Sequence, residues 1–114
     1  MGTPHGISTE CSITWAQLTF IISDKIDFEE AATIPLAAMT AALALYQKLS
    51  LPLPWDPVKE RLPPLLTGGV TAVGAFAIKL VILFNIHPII AVAGNGSSYV
   101  ETLVSKDKGD VVID

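Results

Sequence analysis

The sequence predicts an α/β protein built on a parallel sheet. Three short apolar runs of strand length, 65–67, 88–92 and 110–113, alternate with two stretches of helical character, one running to about residue 84 and one over 97–105. Glycines mark the first strand-to-helix junction at Gly68, Gly69 and Gly74. The helix that follows is almost wholly apolar, as expected of an element covering a sheet buried on both faces.

Taken in order, residues 1–12 are rich in Gly, Pro, Ser and Thr without periodicity, and are expected to be loose. Residues 13–22 read as an extended segment, because Ile13, Trp15, Leu18, Phe20, Ile21 and Ile22 are apolar or β-branched. Asp27 is a suitable N-cap. Glu30 three residues on completes a capping-box-like pattern, and Glu29 favours the helix dipole. A short helix is expected to about residue 34, with Pro35 opening a second one, where its missing N–H costs nothing. Leu36, Met39, Ala42, Leu43, Tyr46 and Leu49 recur at three- and four-residue spacing and predict its buried face. Five prolines in 51–64 exclude helix or inner strand there, and Asp56, Lys59, Glu60 and Arg61 make it a solvated loop.

The strand at 65–67, the glycine turn, the helix and the strand at 88–92 form the order of a dinucleotide-binding βαβ unit. Gly68 and Gly69 tolerate the positive φ that a sharp turn requires, and the first amides of the helix lack partners within it. Together with the macrodipole they favour an anion, and the amides from Thr71 to Gly74 are the expected pyrophosphate holders. A tight turn without a ligand fits the same glycines. A P-loop does not, because Ala75 and Phe76 stand where Lys and Ser/Thr would be needed. Nor is the Rossmann glycine fingerprint complete, with Thr71 and Ala72 in the middle of the loop. Residues 97–105 predict a short helix capped by Ser97 or Ser98, and 110–113 a third strand. Right-handed crossovers give the strand order 3-2-1.

The segments PLLTGGVTAVGAFAIKL and FEEAATIPLAAMTAALALYQ, the second covering 28–47, resemble the zinc-independent medium-chain dehydrogenase/reductase superfamily, in particular its fungal enoyl reductase and quinone oxidoreductase-like branch. Glu29, Glu30, Ala31, Ala32, Thr33, Pro35, Thr40 and Ala41 stand in that family's order before the Rossmann strand. The resemblance covers roughly residues 9–114 but only the middle of a family member. It implies a remnant of the GroES-like substrate domain over 1–27, including a remnant strand, and a partial NAD(P)-binding Rossmann domain over 28–114. The expected fold is therefore a truncated Rossmann fold, its first βαβαβ half. Thr40 is implied to face the nicotinamide end of the cofactor; a helix Thr bonding its own backbone is the competing reading.

What the resemblance implies is a fragment of an NADPH-dependent oxidoreductase that reduces an activated double bond of an enoyl thioester or quinone-like substrate by hydride transfer. The competing expectation is a non-catalytic chain acting only as a binding or interaction module. The expected dinucleotide contacts are Thr40, Gly69, Thr71, Ala72, Val73, Gly74, Asn95, Ser97 and Tyr99. NADPH is expected over NADH because the position about 20 residues beyond the glycine turn, where NAD-selective folds carry Asp or Glu, is Gly94. Asn95, Ser97 and Tyr99 supply neutral donors there, but no arginine clamp.

Composition excludes other classes. A net charge of −4 from 7 basic and 11 acidic residues, without a basic cluster, argues against nucleic-acid binding. The apolar stretches 70–84 and 31–45 fall short of the roughly 20 residues that span a bilayer, and no secretory signal opens the chain, so no membrane partner is expected, while a single cysteine suits a reducing compartment and makes the cytoplasm the expected location. One cysteine, Cys11, and two distant histidines, His5 and His87, give no zinc set. His87, just before a strand, reads as a capping or surface residue. An exposed apolar edge at 13–22 would favour self-association.

Overall fold

The computed structural model describes residues 11–53, 55–56 and 63–114. Residues 1–10 of the expected loose start, with His5, and Pro57, Lys59, Glu60 and Arg61 of the proline-rich loop lie outside them. The chain divides into two compact units, Met1–Ala31 and Ala32–Asp114.

In the first unit, the expected strand over 13–22 does not form. Extended backbone at Trp15 and Thr19 flanks a 3-10 turn, Ala16–Leu18, closed by the Thr19 hydroxyl donating to the Ala16 carbonyl at 2.7 Å. Apolar and β-branched side chains suit a strand only when a neighbour takes its backbone hydrogen bonds, and among the described residues no strand pairs here. Ile13, Trp15, Leu18, Phe20 and Ile21 are exposed. The Asp27 cap forms as expected: its carboxylate accepts from the Glu30 amide at 2.8 Å, and helix α1 (Phe28–Ala32) begins there.

The second unit opens with a π-helical turn, Ile34–Ala38, then α2 (Met39–Ala42) and a second π-helical turn, Leu43–Lys48. Pro35 does not restart the helix but sits in the first turn of the π segment, where the Met39 amide reaches back five residues to the Ile34 carbonyl. The helical run Phe28–Lys48 is therefore 21 residues, long and apolar enough to cross a membrane by length and composition alone. The expected buried face is also corrected. Ala37, Ala41 and Leu45, four residues apart, are buried, and of the expected face Ala42 and Tyr46 are half-buried, whereas Leu36, Met39, Leu43 and Leu49 are exposed. Its part over 34–42 packs along α3 (Ala72–Leu83), and alanines let two helices approach where leucines would hold them apart.

Strands β1 (Leu65–Thr67), β2 (Ile90–Val92) and β3 (Val111–Ile113) form a parallel sheet in the order β1-β2-β3, which is the expected 3-2-1. Leu66 lies beside Ala91, and Ala91 beside Val112. The architecture is a Rossmann-like βαβαβ half. Its core is centred on Ile78 and Val81 of α3, Ile89 just before β2, and Val100 of α4 (Ser97–Leu103), all fully buried. Each such side chain contributes about 1.5–3 kcal/mol. Asn85, at φ 55°, ends α3 in the left-handed conformation, with Ile86 N–H donating to the Val81 carbonyl at 3.1 Å. Helix α4 is not capped by a serine. A 3-10 turn, Gly94–Gly96, leads straight into it, Gly96 is its N-cap, and Ser97 already has helical dihedrals.

Candidate functional site

The loops that leave the carboxyl ends of β1 and β2 lie side by side, the place where parallel α/β sheets bind ligands. The β1–α3 turn is held by three interactions centred on Thr71. Its hydroxyl donates to the Gly68 carbonyl at 2.8 Å and accepts from the Gly74 amide at 3.0 Å, while its own amide donates to the same carbonyl at 2.9 Å. Thr71 is thus the N-cap of α3. Gly68 has φ 69°, as the sharp turn requires. Gly74 is packed so closely that an added Cβ would run into the Gly68 carbonyl oxygen, which places the helix start directly on the turn.

These bonds divide the four amides expected to hold an anion. Those of Thr71 and Gly74 are taken up within the turn. Among the described residues, the amides of Ala72 and Val73 have no acceptor and stand at the positive end of a 12-residue helix. That pair is what the turn offers to an anionic ligand. Gly69 contributes structure instead: its amide donates to the Val92 carbonyl at 3.0 Å, tying the turn to the end of β2.

On the β2 side, Ala93 is buried and Gly94 has φ 55°, with open space where a Cβ would be. Asn95 and Tyr99 are exposed and Ser97 half-buried, so all three polar side chains are at the surface of the turn and of the first turn of α4. No carboxylate stands among residues 93–99. Thr40 is exposed on α2. Gly69, Thr71, Ala72, Val73 and Gly74 are therefore brought together in one loop, and the turn carrying Asn95 and Ser97 lies against it through Val70 and Gly96.

Two features escaped the sequence reading. His87 is neither a cap nor a surface residue: its side chain is buried against Asp110, and its Nε2 is buried with no partner among the described residues. Asp110 is not in the strand but precedes β3. Its Oδ1 takes His87 Nδ1 at 2.7 Å and the Ile89 amide at 2.8 Å, and its Oδ2 the Ser105 amide at 2.9 Å. Burial raises the pKa of this carboxyl, but the hydrogen bonds from His87, Ser105 and Ile89 outweigh it and leave the value below the ordinary one. This cluster is at the amino ends of β2 and β3, opposite the end that carries the glycine turn. Only the 23-residue separation of its two side chains hid it.

The fold and the two loops define a Rossmann-like α/β chain whose glycine turn leaves two helix-start amides open. Among known proteins, the chain is similar to fungal trans-enoyl reductases. It is 42% identical over 113 residues to trans-enoyl reductase fsr4 of Gibberella fujikuroi, covering 97% of this chain and 33% of that protein. It is 40% identical over 79 residues to trans-enoyl reductase fsa3 of a Fusarium species, 68% of this chain and 22% of that protein. To trans-enoyl reductase phm4 of a Pyrenochaetopsis species it is 35% identical over 99 residues, 86% of this chain and 27% of that protein. The chain thus spans a third or less of the length of these relatives. No protein-family model and no solved structure matches it.

Proposed function

We propose that this chain is the dinucleotide-binding half of an enoyl reductase of the zinc-independent medium-chain dehydrogenase/reductase type, with NADPH as its cofactor. The observation that carries the proposal is the β1–α3 turn: two open amides, Ala72 and Val73, at the start of a helix that Gly74 lets sit on the turn. The similarity to proteins named trans-enoyl reductase supports the same reading.

The residues fit the cofactor by the chemistry of their donors. Ala72 and Val73 would hold the pyrophosphate by their backbone N–H groups, and Thr71 would keep them aimed outward by occupying the neighbouring amide of Gly74. Asn95, Ser97 and Tyr99 are neutral donors for a 2′-phosphate, and the absence of a carboxylate over 93–99 removes the group that would repel it. Thr40 would lie on the nicotinamide side. When bound, NADPH supplies the hydride that reduces an activated double bond of an enoyl thioester or quinone-like substrate; the protein's own part is orientation and exclusion of water.

The test is a titration of the chain with NADPH followed by energy transfer from the tryptophans to the reduced nicotinamide, then an assay of NADPH consumption with an enoyl thioester. Saturable transfer supports the binding half of the proposal and turnover the reductase half. No saturable transfer overturns both.

A further inference from the structure

The β1–α3 and β2–α4 turns touch at two points. Close to the strands, the Gly69 amide donates to the Val92 carbonyl at 3.0 Å. Farther out, the isopropyl group of Val70 occupies the space that a Cβ on Gly96 would fill, so that any larger residue at 96 collides with Val70 Cγ1. The residues next along each turn are ones assigned to the ligand under the proposed function. Thr71, which follows Val70, caps the helix carrying the open amides of Ala72 and Val73. Ser97, which follows Gly96, opens α4, and Asn95 precedes it.

We propose that Val70 and Gly96 are a matched positioning pair that sets the distance between the pyrophosphate amides and the 2′-phosphate donors, so that a ligand carrying both anionic groups is bound by the two turns as one unit. This rests on the reading of the site as an NADPH site. A turn is a backbone object, and moving it by the width of a methyl group shifts its donors by a similar amount. Hydrogen bonds weaken steeply over that range. Two anionic groups on one rigid ribose cannot follow both turns once they separate. A ligand held by one turn alone has no such constraint.

The test is calorimetric titration of wild type, Gly96→Ala, Val70→Ala and the Val70→Ala/Gly96→Ala double variant, with NADPH and with inorganic pyrophosphate as the one-turn probe. Gly96→Ala should raise the Kd for NADPH about tenfold and leave that for pyrophosphate within about threefold, while the double variant, which removes Val70 Cγ1 and leaves only the residue-70 Cβ, 3.0 Å from the new methyl, should recover most of the lost NADPH affinity. Val70→Ala, which adds no bulk and keeps the fold testable should Gly96→Ala not fold, should weaken NADPH about threefold or more relative to pyrophosphate. Unchanged NADPH affinity in both single variants overturns the pairing. So does a loss that the double variant does not relieve, or a loss of the same size for both ligands. A wild-type chain that binds neither ligand overturns the NADPH reading itself, and is told apart from the other outcomes by the wild-type titration alone.

Discussion

Asp110 and His87 share a 2.7 Å hydrogen bond between Oδ1 and Nδ1, and this pair joins the amino end of β2 to that of β3. The Asp110 carboxylate also takes the amides of Ile89 and Ser105, so a single side chain fixes three backbone segments. Its folded-state pKa is lowered, so its stabilisation is fully present above the unfolded value and is lost as pH falls through the folded one. Stability should therefore drop on acidification below about pH 4. Asp110→Ala, which leaves buried donors without an acceptor, should cost about 2–3 kcal/mol at neutral pH and flatten that acid limb. Urea unfolding between acidic and neutral pH checks both expectations.

Gly74→Ala should be disruptive for a different reason. Its new Cβ meets the backbone of Gly68, which cannot rotate away as a side chain could. Loss of about 1–3 kcal/mol in chemical denaturation is expected, together with weakened NADPH binding. Wild-type stability in this variant would contradict the close seating of α3 on its turn.

Tyr46 carries a buried hydroxyl with no partner among the described residues, and burial raises its pKa. Its ring meets Phe84 edge-on at a centroid separation of 5.6 Å, so the aromatic body is well used while the oxygen is not. Tyr46→Phe should keep the ring contact and leave stability unchanged or improved by about 1 kcal/mol. A fall in Tm would show that the hydroxyl has a partner in solution.

Gly94→Asp tests cofactor choice. The site has room for a side chain, and Asp tolerates the φ of 55° better than most residues. A carboxylate there should repel a 2′-phosphate and accept from ribose hydroxyls, shifting the ratio of dissociation constants towards NADH. A ratio unchanged from wild type would remove Gly94 from the account of selectivity.

The βαβαβ order was legible because strand-length apolar runs, helix-length runs and Gly68, Gly69 and Gly74 at the junction all point to one topology. The long helix was less so. Almost every position from Ala31 to Leu45 is apolar, so periodicity alone could not choose its buried face; size did, with Ala37, Ala41 and Leu45 turned inward. Residues 13–22 misled for the opposite reason, since strand propensity without a paired neighbour does not make a strand. At the site, the glycine turn was readable, but which of its amides remain open was not. That depends on Thr71 using its hydroxyl twice, a tertiary detail of the cap. The His87–Asp110 pair needed the sheet to bring two distant residues together.

The most direct measurement is calorimetric titration of NADPH into wild type and Ala72→Asp. The substitution sets a carboxylate beside the open amides of the β1–α3 turn, at a position exposed enough to accept it. If those amides hold the pyrophosphate, wild type binds NADPH and Ala72→Asp binds it at least about tenfold more weakly, a difference of about 1.4 kcal/mol. Equal affinity in the two proteins would contradict the account.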